Sequence, residues 1–355
     1  MHLFVDISSH GYGHLAQTAP VLNALRQRLP LLQLTIRCGL PRERIARRVA
    51  GDFTHLPEAS DFGLVMKSAL EVDGPASIQA YRDFHADWEA RVAREAWTLA
   101  AIAPDLVLSN VSYLALAGAR QAGIPALALC SLNWADIAAP YFRATADFPA
   151  IHAQMLAAYR GAEAFLRLTP GMEMPDLGNA VSIGPVAQPG ENKRALLKLP
   201  PHQRVVLVAM GGVGVRLPAT WPKLDEVIWL VPQGSGLERN DVSALEETGL
   251  SVSDLIASVD CVLTKAGYGT FVEAAASGTP LLYVERPDWP EEAALATWHA
   301  RVSKSARISR AQFEQGAFGE ALRQLISAAR PEPVALTGIA QAADFLAARL
   351  SVEVH

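Results

Sequence analysis

The chain has 355 residues, half of them apolar and 19% charged, with a formal net charge of −5. At about 100–200 residues per domain this length implies two domains with sizeable cores, and the composition excludes a disordered chain. The 25 Gly and 23 Pro follow no three-residue period, which excludes a collagen-like fibre, and the acidic balance excludes a general nucleic-acid binder.

Leu3 to Ile7 reads as a short buried strand. After the turn Ser8-Ser9-His10-Gly11-Tyr12-Gly13, the positions Leu15, Thr18, Leu22, Leu25 and Leu29 recur at helical spacing. A strand at 34–38 and a basic helix at about 41–49 follow. The basic positions Arg37, Arg42, Arg44, Arg47 and Arg48, interrupted by Glu43, read as a solvated helix face. A third strand is expected at 53–56. Residues 58–75 lack a period and read as a long loop of the kind that often binds ligands. From 76 to 103 a single apolar stripe (Ile78, Tyr81, Trp88, Val92, Leu99, Ile102) predicts one helix, ended by Pro104. A strand at 105–109, a helix at 113–121, a strand at 126–130, helices to about 161 and strands at 164–168 and 181–183 continue the alternation. Such alternation means a parallel sheet covered on both faces.

Around residues 184–203 the sequence turns Pro-rich and polar, which places a domain boundary there. The pattern then restarts: strands at 204–210, 227–231, 259–264 and 281–284, with helices at 271–277, from about 292, at 311–329 and at 339–350. The expected organisation is α/β, with an N-terminal Rossmann-like domain over 1–188 and a C-terminal one over 189–335. The last helix, within 336–355, is expected to return to the first domain. Cys38, Cys130 and Cys261 lie far apart in or beside apolar runs without metal-ligand spacing. They read as buried thiols of a reducing cytosol, and no metal site is expected. Met1–Asp6 lacks the start of a signal peptide, and no uncharged apolar run approaches the roughly 20 residues of a bilayer span. A cytoplasmic protein without a transmembrane segment is expected.

Two glycine loops carry the chemistry. Gly11-Tyr12-Gly13-His14-Leu15-Ala16 has the spacing of a phosphate-approaching turn at a helix start. A dinucleotide site would need an acidic residue at the end of the second strand; Arg37-Cys38-Gly39 stands there, which disfavours NAD and leaves NADP only Arg37. His10, at a strand C-terminus, suits a general base, while His14, at the helix start, suits contact with substrate or phosphate; either could instead cap the turn. In the second half, Thr264 to Glu273 (TKAGYGTFVE) brings Gly267, Tyr268, Gly269 and Thr270 to a helix start that can seat a phosphate. Glu273, one turn on, can accept from ribose hydroxyls. Gly211 and Gly212 end another strand, and Arg286 with Asp288 add a charged loop.

The segment GYGTFVEAAASGTPLLYVERPDWPEE (267–292) resembles the donor motif of GT-B glycosyltransferases, the two-Rossmann superfamily. It is similar to that of the peptidoglycan N-acetylglucosaminyltransferases (family 28) and of the glycosyltransferase-like half of plant L-arabinokinases. SSHGYGHLAQTAPVLNAL (8–25) is similar to the N-terminal loop and first helix of the same families. The strong motifs cover about 40–50 residues. The resemblance implies two Rossmann-like domains facing a cleft, with Thr270 and Glu273 on the donor diphosphate and ribose and an early-loop histidine, His10 or His14, as base. Tyr12 replaces a family glycine, and the loop 286–292 lacks the amide residues of many hexose donor sites. That loop is also similar to that of UDP-sugar 2-epimerases. No kinase-type glycine/serine loop occurs, so arabinokinase activity is not implied.

The expected function is that of a metal-independent inverting glycosyltransferase. It would use a nucleotide-diphosphate sugar, UDP-sugar favoured, as co-substrate with no other cofactor, and an unknown acceptor. The alternatives are a nucleotide-sugar 2-epimerase or hydrolase on the same fold, or a non-catalytic nucleotide-sugar-binding protein.

Overall fold

Strands such as Leu3-Phe4-Val5 and Val205-Val206-Leu207-Val208 are apolar on both faces, which is stable only inside a sheet covered on both sides. The computed structural model, which describes residues 1–68, 70–200, 202–211 and 216–351, places each of them in an all-parallel sheet. The chain divides into two units: Met1–Lys67 with Glu71–Val186 and Thr337–His355, and Ala187–Leu336 with Ser68–Leu70.

The first unit runs β1 (His2–Ile7), α1 (Gly13–Arg28), β2 (Gln33–Arg37), α2 (Arg42–Ala46), β3 (Thr54–Leu56), α3 (Gly74–His85), α4 (Trp88–Ile102), β4 (Leu106–Asn110), α5 (Tyr113–Ala122), β5 (Ala126–Cys130), α6 (Trp134–Phe142), α7 (Phe148–Arg160), β6 (Ala164–Leu168) and β7 (Ala180–Ile183). Its sheet order is β3-β2-β1-β4-β5-β6-β7. The second unit runs β8 (Arg204–Ala209), β9 (Val227–Val231), β10 (Val242–Ala244), α8 (Val252–Ser258), β11 (Cys261–Lys265), α9 (Tyr268–Ser277), β12 (Leu281–Val284), α10 (Glu292–Val302), β13 (Ser305–Ile308), α11 (Arg310–Gln315) and α12 (Gly319–Ser327). Its order is β10-β9-β8-β11-β12-β13. In both sheets the order reverses beside the first strand of the unit. The last helix, α13 (Thr337–Ser351), packs on α1 and β7; Arg28 pairs with Asp344 at 2.6 Å, and the Gly184 N–H donates to Gln341 at 2.7 Å.

Several elements differ from expectation. The stripe 76–103 is two helices, broken at Ala86-Asp87. Across the break His85 stacks on Trp88 at 4.9 Å, and its Nε2 meets the Tyr113 hydroxyl at 2.9 Å. Residues 311–329 are likewise two helices. Gly316 divides them with φ +68, and a Cβ there would lie 2.0 Å from the Thr220 carbonyl. β10, α8 and β13 are additional elements of three, seven and four residues, too short to show a period in the sequence. No helix occurs between β8 and β9 among the described residues. Instead Leu217, Trp221 and Leu224 cover the sheet, with the Trp221 ring edge-on to Trp229 and Phe318, both at 5.1 Å.

Arg37 corrects the reading of the basic run as one solvated face. Arg42, Arg44 and Arg47 are exposed, but Arg37 is buried at the end of β2. It holds Asp6 of β1 at 2.9 Å and Glu95 of α4 at 2.5 Å, and Ser60 donates to Asp6 at 2.6 Å. Two carboxylates occupy its guanidinium, so it offers nothing to a dinucleotide phosphate. Removing one partner of such a buried set costs about 3–5 kcal/mol. All three cysteines are free and buried.

His299 of α10 is fully buried against Phe271, its two ring nitrogens without a hydrogen-bond partner among the described residues. Burial lowers its pKa from 6.5 to about 4. Between those values the unfolded chain binds a proton that the folded chain does not, so stability is full above pH 6.5 and falls as pH drops toward 4. His299→Leu is expected to stabilise the protein more at pH 5 than at pH 8, with a difference of about 1–2 kcal/mol in urea melts. An equal gain at both pH values would remove His299 from the acid response.

Candidate active site

In an open parallel sheet, ligands bind beyond the C-terminal strand ends where the strand order reverses. In the first unit that point lies between β1 and β4, where the Ser8 N–H donates to the Asn110 carbonyl at 2.7 Å. The loop after β1 turns sharply at Gly11, with φ +86 and its N–H on the Ser9 carbonyl at 2.7 Å. α1 begins at Gly13 behind the exposed Tyr12, which makes no side-chain cap. The first backbone bond of the helix runs from Ala16 to Tyr12, so the N–H groups of Gly13, His14 and Leu15 have no intrahelical acceptor. A Cβ on Gly13 would meet nothing within 4 Å, which leaves the helix start open to a ligand.

His14 lies inside, only 5% exposed. Its Nδ1 is 2.8 Å from Asn110 Oδ1; Asn110 Nδ2 donates to Gln17 Oε1 at 3.1 Å, and Gln17 Nε2 donates to Ser131 at 2.8 Å. Asn110 Nδ2 also faces the His14 carbonyl oxygen at 3.5 Å, which turns Oδ1 to the ring, so Nδ1 of His14 donates and Nε2 carries the lone pair. Burial lowers its pKa to about 4, against a small rise from Asn110, and keeps the ring in its neutral, base form. His10 is half-buried, and its Nε2 donates to the Leu64 carbonyl at 3.1 Å. Trp134 joins the two, its ring 5.1 Å from that of His10 and 5.6 Å from that of His14. The Trp134 Nε1 donates to Asp61 at 2.8 Å, and Ser8 Oγ donates to the other Asp61 oxygen at 2.7 Å.

The second unit reverses order between β8 and β11. Gly211 follows β8 with φ +88, and Lys265, the last residue of β11, runs across it; a Gly211 Cβ would lie 3.3 Å from Lys265 Cε. Gly212 lies outside the described residues. α9 starts at Tyr268, three residues earlier than expected, with Gly267 at the cap and no side-chain cap bond. Its first backbone bond is Phe271 to Gly267, so the N–H groups of Tyr268, Gly269 and Thr270 have no intrahelical acceptor. Tyr268 and Glu273 are buried, and Thr270 is half-buried. Burial, with the Arg286 charge second, lowers Lys265 to about 8. Arg286 is buried with its guanidinium 4.3 Å over Trp289, and its N–H donates to the Glu292 carboxylate; Asp288 is exposed. The described sequence candidates thus form one group per unit: those of the first lie at its order reversal, as do Gly211 and Gly267 to Glu273 in the second, while Arg286 and Asp288 follow β12, one strand away. No group of three or more His, Cys, Asp or Glu that could hold a metal ion occurs among the described residues, and none of their helices is long and apolar enough to cross a membrane.

Sequence reasoning missed Asn110, Gln17, Ser131, Trp134 and Asp61 in the first unit, and Lys265 in the second. For Asn110 and Lys265 a signal existed: each is a polar residue at the end of a buried strand beside an order reversal, and Ser131 follows the next strand, β5. Asp61 and Trp134 had none, because their meeting spans 73 residues of chain.

Two parallel-sheet units ordered in this way constitute the GT-B fold of glycosyltransferases. The calicheamicin glycosyltransferase CalG4 matches with a TM-score of 0.61 at 16% identity, covering 100% of this chain and 99% of that one. Arabidopsis thaliana UGT89C1 matches with a TM-score of 0.64 at 15% identity over 98% and 99%, and that protein has also been solved with UDP. An Arabidopsis thaliana L-arabinokinase is 26% identical over 312 residues, which covers 81% of this chain; the chain spans 28% of that protein's length. No model of a known protein family matches the chain.

Gly63 sits where the loop after β3 passes between the rings of the first site. Its φ is +63, and a Cβ would lie 2.6 Å from Trp134 and 2.9 Å from His10. Gly63→Ala is expected to destabilise by about 1–3 kcal/mol through overpacking and strain, measured by urea melts. A neutral substitution would mean that the ring packing is loose.

Proposed function

We propose that the chain is an inverting, metal-independent glycosyltransferase that moves a sugar from a nucleoside-diphosphate sugar, UDP-sugar favoured, to an acceptor hydroxyl. The observation that carries this is the His14–Asn110 pair at the order reversal of the first sheet: a neutral imidazole whose tautomer is fixed by a side-chain acceptor, as general-base catalysis requires. In this reading His14 Nε2 takes the acceptor proton as the hydroxyl oxygen attacks the anomeric carbon from the face opposite the nucleoside diphosphate. His10 borders the acceptor. This reverses the roles expected from strand-end position alone, because His14 has an oriented side-chain partner and His10 rests on a backbone carbonyl. The second unit receives the donor. The uncapped start of α9, together with Lys265, supplies positive potential for the diphosphate, and Glu273 accepts from the ribose. Arg286 and Asp288 belong to the loop nearest the donor sugar. The UDP complex of UGT89C1 supports a uridine nucleotide, and the three buried free thiols support a cytoplasmic setting.

Glu273→Ala is expected to weaken UDP binding by about 1–3 kcal/mol, roughly 5- to 150-fold in Kd by calorimetry. Unchanged affinity would sink the donor assignment. His14→Ala is expected to cut sugar transfer by about 10²–10⁴ with UDP affinity retained, and activity is expected to persist in excess EDTA. Loss of transfer in His10→Ala with His14→Ala still active would exchange the two roles. If UDP-sugar were consumed equally fast without any acceptor, an epimerase or hydrolase would replace the transferase.

A further inference from the structure

Asp61 is a buried carboxyl that the proposed transfer does not use, yet it is tied into the histidine site on three sides. Ser8 donates to Oδ1 at 2.7 Å and Trp134 to Oδ2 at 2.8 Å. Its own loop is fastened before and after it: Ser60 donates to Asp6 at 2.6 Å, the Tyr81 hydroxyl donates to the Gly63 carbonyl at 2.9 Å, and His10 holds the Leu64 carbonyl. Trp134 in turn packs edge-on against His10 and tilted against His14. The geometry points to Asp61 as a positioning residue of the histidine site, which sets the plane of the Trp134 indole and the rotamer of Ser8 and, through them, the placement of both imidazoles. This rests on the transferase reading only in so far as the histidines act in it.

The device is sensitive to pH. Burial raises the Asp61 carboxyl to about 7; the Asp6 charge adds to the rise, and the Ser8, Trp134 and Arg37 contributions oppose it. Ionised, Asp61 accepts both donors. Protonated, it can add its proton only on Oδ1, since Oδ2 faces the indole N–H. The Ser8 hydroxyl must then turn to accept, while it also receives the His10 backbone N–H at 3.4 Å. Asp6 pairs with Arg37, which also holds Glu95. His14 stays neutral, and burial pushes the Tyr81, Tyr113 and Tyr159 hydroxyls and the Cys38 thiol upward. His10 is the remaining ionisable ring beside Trp134.

The test follows the indole N–H signal of Trp134, assigned with Trp134→Phe, by proton–nitrogen NMR from pH 5 to 9. One transition centred near pH 7 is expected in the wild type, absent in Asp61→Asn, whose amide oxygen still accepts from the indole while its nitrogen donates to the Ser8 hydroxyl, and which keeps His10. Ser8→Ala, which removes a donor to the carboxylate, is expected to move the midpoint upward. With UDP-glucose as probe, Asp61→Asn is expected to lower kcat about tenfold, leave KM for the nucleotide sugar unchanged and lose the wild-type rise in kcat through pH 7. A transition that persists in Asp61→Asn belongs to His10 and overturns the proposal, as does a wild-type signal that does not move. If Asp61→Asn fails to fold, an unmoved midpoint in Ser8→Ala overturns it instead. A wild type that binds no nucleotide sugar but shows the Asp61-dependent transition would refute the transferase reading and leave the positioning role standing.

Discussion

Both units depend on one constraint: parallel strands must be joined by crossovers of a single hand. When successive strands are added on one side of the first strand and then on the other, the covering helices leave on opposite faces, and a crevice opens at the reversal. β1 and β4 flank that crevice in the first unit, and β8 and β11 flank it in the second. The glycine turns at 11–13 and 267–269 stand at these points because the chain must leave a buried strand and enter a helix within a few residues. The helices they begin, α1 and α9, present uncapped N–H groups for the same reason.

The first crevice is lined with polar groups that water reaches poorly, so each needs a partner within the protein. The His14–Asn110–Gln17–Ser131 chain meets that demand and selects one tautomer of the ring as a result. Arg37 does comparable work one strand away. Asp6 and Glu95 would be costly if left buried alone, and the guanidinium between them ties β1, β2 and α4 together. The histidine chain and the Arg37 set are thus two buried polar networks on neighbouring strands, one orienting His14 and the other tying the sheet to α4.

The second unit is arranged differently. Between β8 and β9 the sheet is covered by Trp221 and its aromatic neighbours where a crossover helix would ordinarily pack, and the remaining helices are short. Its polar groups gather at the order reversal, where Lys265, the start of α9 and Glu273 lie in sequence around one turn. This compactness in sequence is why the second motif could be read directly. The Gly–Thr–Glu spacing is a local property of one strand–turn–helix joint, with no contribution from distant chain.

The sequence alone determined the α/β alternation, the central strands of both sheets and both glycine loops, because hydrophobic period and glycine punctuation act over a few residues. It misjudged the helix 76–103, where a continuous apolar stripe hid the break at Ala86-Asp87, and it read Arg37 as solvent-facing because its two carboxylate partners lie 31 and 58 residues away. Only the tertiary structure decided which histidine has an oriented side-chain partner, since Asn110 is 96 residues from His14, and only it brought Asp61 to Trp134. The physical reason is the same in each case. Local propensity is set by neighbours along the chain, whereas burial, protonation and tautomer are set by whichever groups the fold brings within about 3 Å, the reach of a hydrogen bond.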